Sequence, residues 1–278
     1  METVVIDGDN LTLEMVKAVS LGSIEASLSS DSRERMQASR KAVEDILDSG
    51  EVVYGINTGF GALSSVRIED GQLEELQSNL VRSHACGIGE TMDPELVLMM
   101  MTIRANSLAK GVSGIRPSVV DTLLGMVNSR IAPSIPRIGS LGASGDLAPL
   151  SHMTMGMMGE GECLVEVAGK WVSKDSRTAL EEAGLEPVKL QAKEGLSLIN
   201  GTSQMCAYLT QTVLNMEILC LTADASIACS VEAIRGSHKP FDRRVHVSRP
   251  QVGQSISAAR ISSFLSQSNI EISHENCE

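Results

Sequence analysis

The sequence predicts a mainly α-helical protein, a bundle of long helices with a small N-terminal α+β portion and one short β-hairpin. Aromatic residues make up 2% of the chain while methionine occurs 14 times, so the core must rely on aliphatic and thioether packing, which suits helices. Apolar residues recur at helical spacing between capping acids, prolines and glycines. From Gly195 to Met216 there is no charged residue at all, the mark of a helix buried among others.

The elements follow in order. Asp31 to Gly50 reads as an amphipathic helix with Met36, Val43, Ile46 and Leu47 on one stripe and glycine as its stop. VVYGINTGFG then offers a short β-like run and a flexible loop with glycines at 55, 59 and 61. Residues 70–85 place Leu73, Leu76, Leu80 and His84 on one helical face. Asp93 caps the next helix, Pro94 suits its first turn and Gly111 ends it. One short helix between proline-containing loops leads to residue 139. ECLVEVAGKWVSK alternates around Ala168-Gly169 and predicts a hairpin, followed by a polar helix near 175–183. The charge-poor helix should run to about Ile234 and stop at Gly236.

Composition excludes several classes. A net charge of −12 argues against nucleic-acid or anionic-membrane surfaces. The six cysteines, at 86, 163, 206, 220, 229 and 277, show neither C-x-x-C pairing nor a histidine partner pattern, which predicts reduced thiols and no metal site. METVVIDGDN has no basic-then-apolar run and so is no signal peptide, which predicts a cytoplasmic protein. The charge-free stretch 195–216 is long enough to raise a membrane span, but Ser197, Asn200, Thr202, Ser203, Gln204 and Thr210 fit lipid poorly.

The chemically distinctive stretch is GSLGASGDLAPLSHM, residues 139–153. Three glycines and an alanine leave a single serine, Ser144, almost without neighbouring bulk. The Gly145 nitrogen, unhindered by a Cβ, could be pressed onto the Ala143 carbonyl carbon, closing a five-membered ring that loses water to give an electrophilic methylidene. A hydrolase elbow, G-x-S-x-G, fails by one residue, and a phosphate loop lacks its lysine. The residues by themselves fit a plain glycine-rich turn into a helix at Asp146 equally well.

This segment resembles the signature of the aromatic amino acid lyase family, which includes histidine, phenylalanine and tyrosine ammonia-lyases and related aminomutases. The resemblance implies an ammonia-lyase-type helical bundle in which Ala143, Ser144 and Gly145 cyclise autocatalytically to 4-methylidene-imidazol-5-one (MIO), with no external cofactor. YGINTGFG, residues 54–61, is similar to the family's loop whose tyrosine is the catalytic base, which assigns that role to Tyr54. NLVRSHACGIGE, residues 79–90, resembles the histidine ammonia-lyase form of a pocket-lining segment, pointing to His84 as a substrate-binding residue. Without that resemblance, a histidine on an apolar stripe reads as a core residue. EGLSLINGT, residues 194–202, matches the segment whose asparagine, here Asn200, contacts the prosthetic ring and the amino acid substrate.

The implied activity is elimination of ammonia from L-histidine to give urocanate, as in histidine catabolism, by a homotetramer whose sites are built from several chains. A phenylalanine or tyrosine lyase, an aminomutase, and a catalytically silent helical assembly module are the alternatives. A free phenol titrates near pKa ~10, so Tyr54 as a base implies help from the positive helix ends expected near Asp146 and Thr202. Residues 1–195 are expected to form a mixed domain carrying the tyrosine loop and the MIO segment, and 196–278 the start of an incomplete helical bundle. Family members are longer, so the chain resembles their N-terminal portion, truncated at the C-terminus, and activity of the fragment by itself is not implied.

Overall fold

The structure, a computed structural model, describes residues 2–273 apart from 62, 63, 65 and 142–144. The chain divides into two compact units, Met1–Thr210 and Gln211–Glu278.

The first unit opens with β1 (Thr3–Ile6), α1 (Leu13–Ser20) and β2 (Glu25–Leu28), whose strands pair in parallel. The Asn128 side chain accepts from the Ala26 amide and donates to the Ala26 carbonyl, both at 2.9 Å, so a side chain supplies the strand with a further hydrogen-bonding edge. Replacing Asn128 by alanine is expected to cost about 1 kcal/mol, read as a lower urea midpoint with unchanged slope.

α2 (Ser30–Ser49) starts one residue before the expected Asp31, capped by Ser29, whose hydroxyl accepts from Ser32 N, and ends as the sequence predicts on Gly50, in left-handed backbone. The expected β-like run at 52–54 is not a strand: 52 and 53 are irregular and a turn begins at Tyr54. Buried Asn57 explains the difference: its side chain accepts from Val53 N and donates to Glu51 O, taking the backbone groups a strand partner would need. α3 (Leu73–His84) follows a 3₁₀ turn, and β3 (Ile88–Thr91) follows it.

α4 (Pro94–Ala109) is the axis of this unit, with Leu96 through Met101 all buried. Asp93 caps it, accepting from Glu95 N at 2.9 Å. α5 (Pro117–Asn128) packs beside it. Two short strands, β4 (Ile131–Pro133) and β5 (Pro136–Ile138), stand where proline predicted only loops. Proline is tolerated there because each occupies a strand end.

After α6 (Leu147–Met157), the predicted hairpin is present as β6 (Glu162–Val167) and β7 (Lys170–Asp175), turning at Ala168-Gly169 with positive φ at both. β4 joins it to make a three-stranded antiparallel sheet. α7 (Ser176–Glu182) and α8 (Glu194–Ile199) lead to α9 (Ser203–Ala233), the long charge-poor helix.

Within the second unit, α10 (Arg243–Val247), α11 (Val252–Leu265) and α12 (Ile270–Ser273) follow the end of α9. Ala228, Ile261 and Leu265 form its small apolar cluster, with Val231 and Phe241 packed against them. By length and composition the helical stretch 194–233 is apolar enough to cross a membrane.

Candidate active site

The flanks of the serine segment return side by side, with Leu141 and Gly145 joined in an antiparallel bridge. Ala143 and Ser144 lie outside the described residues; Gly145 is described and buried. Its φ is +95°, a left-handed conformation that L side chains rarely adopt, and a Cβ placed there would overlap the Gly201 carbonyl oxygen. Only glycine fits. That crowding is what a nitrogen forced toward a nearby carbonyl requires, so the residue present fits the implied MIO group.

Asp146 fixes this corner. It is fully buried, and its amide donates to Gly201 O at 2.7 Å. One carboxylate oxygen accepts from Ser140 Oγ at 2.7 Å, the other from the Met205 amide at 3.0 Å in the first turn of α9. The carboxylate therefore caps α9 rather than α6, although it directly precedes α6. The positive end of α9, anticipated as a source of electrostatic help for Tyr54, is already engaged by this carboxylate.

Beneath Gly201 lies Arg104, 4% exposed, the one charge in the apolar run 96–109. Its Nη2 donates to Asn200 O at 2.9 Å and to Ser197 O, and a Cβ on Gly201 would overlap Nη1. Burial pushes the Arg104 guanidinium down to about 10, opposed by the charge of Asp146. It still carries its proton at neutral pH.

α8 is anchored at its start by Glu194, which is wholly buried and forms an ion pair with Arg116 at 2.7 Å. Hydrogen bonding to Glu194 raises the Arg116 pKa above its ordinary value. The next helical turn carries Ser197 and then Asn200, whose backbone closes α8 and whose side chain is exposed. A cleft of about 250 Å³ opens there, lined by Arg104, Ser107, Lys193, Ser197 and Asn200 among others.

The tyrosine loop reaches the same helix. A Cβ on Gly55 would lie 2.8 Å from Leu196 Cδ2, so Gly55 is seated against α8. Tyr54 is 56% exposed and meets Phe60 edge to face, with ring centroids 6.3 Å apart.

His84 closes α3, half-buried, with Nδ1 2.8 Å from Leu80 O. A carbonyl can only accept, so in this contact Nδ1 is the donor. The segment after it rests on the serine segment: a Cβ on Gly139 would lie 3.0 Å from Gly87 Cα and 3.2 Å from Ala148 Cβ. Gly87 N also donates to His152 Nε2 at 3.2 Å, and burial lowers the His152 pKa, favouring the neutral acceptor.

The four predicted segments are thus contiguous through close packing at glycines: the Tyr54 loop on the Leu196 side chain of α8, the turn after α8 on Gly145, and Gly139 on the strand-side continuation of His84. No hydrogen bond joins the side chains of Tyr54, His84 and Asn200 directly among the described residues. Asp146, Arg104 and His152 are the components that reading the sequence left without a role. Arg104 carried a usable signal, since a single cation in a largely apolar, buried helix has to find acceptors inside the protein.

Among the described residues no group of His, Cys, Asp and Glu could hold a metal ion. A family model described as aromatic amino acid lyase matches residues 11–278, and the chain belongs to that family of carbon–nitrogen lyases. It is similar to histidine ammonia-lyase of Anaeromyxobacter sp. (strain K), 45% identical over 99% of this chain and 55% of the relative. The crystal structure of histidine ammonia-lyase from Trypanosoma cruzi superposes with a TM-score of 0.88 at 36% identity, covering 99% of this chain and 53% of that one. Tyrosine aminomutase from Streptomyces globisporus gives the same TM-score at 35% identity, over 96% and 50% of the two chains. The chain spans about half the length of the curated relatives it matches, 55% of the first.

Proposed function

We propose that the protein carrying these residues is an MIO-dependent ammonia-lyase that converts L-histidine to urocanate and ammonia. The observation that carries this reading is the left-handed Gly145 packed against the Gly201 carbonyl, in the sequence Ala-Ser-Gly. MIO, once formed from Ala143, Ser144 and Gly145, supplies an electron sink at the amine end of the substrate. Tyr54 takes the β-proton, and the exposure of its ring leaves the phenol open to a substrate. His84 binds the polar substrate ring, and Asn200 orients the amino acid from the rim of the cleft.

Relatives named histidine ammonia-lyase at 45% identity, together with His84, favour histidine. The similarity to tyrosine aminomutase supports a second reading, lyase or mutase action on tyrosine or phenylalanine. Absorbance assays of the whole protein separate them: urocanate appears with L-histidine under the first reading, coumarate or cinnamate under the second. With the favoured substrate, Tyr54→Phe is expected to lower kcat by about 10²–10⁴-fold, the usual loss for a general base. A loss of less than tenfold would remove Tyr54 from that role.

Assembly into homo-oligomers through the central helix is part of the same reading, supported by Leu209, Met216, Leu219 and Ile218, each half-exposed or more along α9. Their spread among polar Gln211, Thr212 and Asn215 favours protein over lipid as the cover. Light scattering of the whole protein reads the expected tetramer. The five described cysteines are all free, which supports a reducing, cytoplasmic setting.

A further inference from the structure

We infer that Arg104 is a positioning residue for the autocatalytic ring closure, holding the 197–201 turn as the anvil against which Gly145 is pressed. The inference rests on the MIO reading above and concerns how the chain makes the group.

Ring closure forms one bond, from the Gly145 nitrogen to the Ala143 carbonyl carbon, while the carbonyl π electrons move to its oxygen. That oxygen leaves as water with the Gly145 and Ser144 amide protons, giving a carbon–nitrogen double bond to Ser144 N. A second water takes the Ser144 hydroxyl and its Cα hydrogen, leaving the methylidene. No oxidant is needed, so placement of the nucleophilic nitrogen is the main thing the fold has to provide.

The placement has an upper and a lower side. Asp146 N holds the Gly201 carbonyl from above at 2.7 Å, and that oxygen fills the space where a Gly145 Cβ would be. From below, Nη1 of Arg104 abuts Gly201 Cα, and Nη2 bridges the carbonyls of Ser197 and Asn200. Among the described residues Nη2 is the Arg104 donor that holds backbone carbonyls of this turn, and Nε has no partner. A buried cation set against residues 197, 200 and 201 of one turn is a rigid support. Without it the turn relaxes away and Gly145 regains freedom, lowering the effective concentration of its nitrogen at the Ala143 carbonyl.

The test is intact mass of the tryptic peptide 138–170 from the whole protein that carries this chain. Ring formation removes two waters, about 36 Da. Arg104→Met is expected to mature at least about tenfold more slowly than the unsubstituted chain, at matched helical circular dichroism. Arg40→Met is the control, because Arg40 is 7% exposed and donates to Ala192 O and Gly114 O without touching Gly201. It should lose stability yet mature within about twofold of the unsubstituted rate.

If Arg104→Met does not fold, Arg104→Lys decides, since one ammonium keeps the charge but cannot span the turn. It too should mature at least about tenfold more slowly. Normal maturation of either folded Arg104 variant overturns the inference and leaves the proposed function standing. An unsubstituted chain that keeps its full mass overturns the MIO reading itself, and the positioning role falls with it.

Discussion

Gly145→Ala is expected to leave peptide 138–170 at full mass, with no detectable loss of two waters, while the chain remains helical. Two costs add at this position. Left-handed backbone costs a residue with a Cβ roughly 1–3 kcal/mol, and φ here is +95°. The Cβ would also overlap the Gly201 oxygen, which cannot retreat without breaking its bond from Asp146 N and displacing the turn from Arg104. If only ~3 kcal/mol of this reaches the cyclisation barrier, the rate falls by more than about 10². Ser140→Ala is a graded comparison. It removes the 2.7 Å bond to Asp146 but no packing, and should slow maturation by less than about tenfold. Mass spectrometry of both variants settles the matter: a ring formed in Gly145→Ala at the normal rate would mean that the contact with Gly201 is incidental.

Glu194→Ala is expected to lower the unfolding free energy of the first unit by about 3–5 kcal/mol, a large share of the ~5–15 kcal/mol typical of a folded domain. Glu194 is 0% exposed and accepts from Arg116 N, Nε and Nη2 and from Gln191 N, all within 3.1 Å. Removing it strands a partly buried guanidinium and two amides. By contrast Glu44, paired with Arg40 but itself 47% exposed in its side chain, should cost less than about 1 kcal/mol when replaced. Urea titrations compare the two. A double variant, Arg116→Met with Glu194→Met, should recover part of the loss by removing both charges at once. Equal midpoints for Glu194→Ala and the unsubstituted chain would show that the ion pair contributes nothing.

Caps and periodicity made much of the fold legible before any coordinates. Asp93, Pro94 and Gly111 bracket α4, Gly50 stops α2, and Ala168-Gly169 marks the hairpin, because each signal acts on its own immediate backbone. The β-like run expected just before the tyrosine loop does not form, since Val52 and Val53 favour strands locally while Asn57 takes the hydrogen bonds of Val53 N and Glu51 O. β4 and β5 were hidden by the prolines that end them.

In the site, Tyr54, His84, Asn200 and Gly145 could be singled out because their segments resemble a family's. Their supports could not. Asp146 acts on Met205 across 59 positions and Arg104 on Asn200 across 96, and no local pattern encodes such a meeting. The same distance hides why Glu194 is buried, since its partner Arg116 lies 78 positions earlier.

Those separations bear on when the protein becomes chemically complete. A nascent chain leaves the ribosome N-terminus first, so residue 145 emerges well before the turn at 197–201 and the amide of Met205 that its neighbour Asp146 caps. Until translation has delivered those partners, the serine segment is an ordinary glycine-rich stretch with nothing to bend it. On the proposed reading, ring formation therefore waits on long-range folding, and a loss of two waters would be a covalent record that this region has folded.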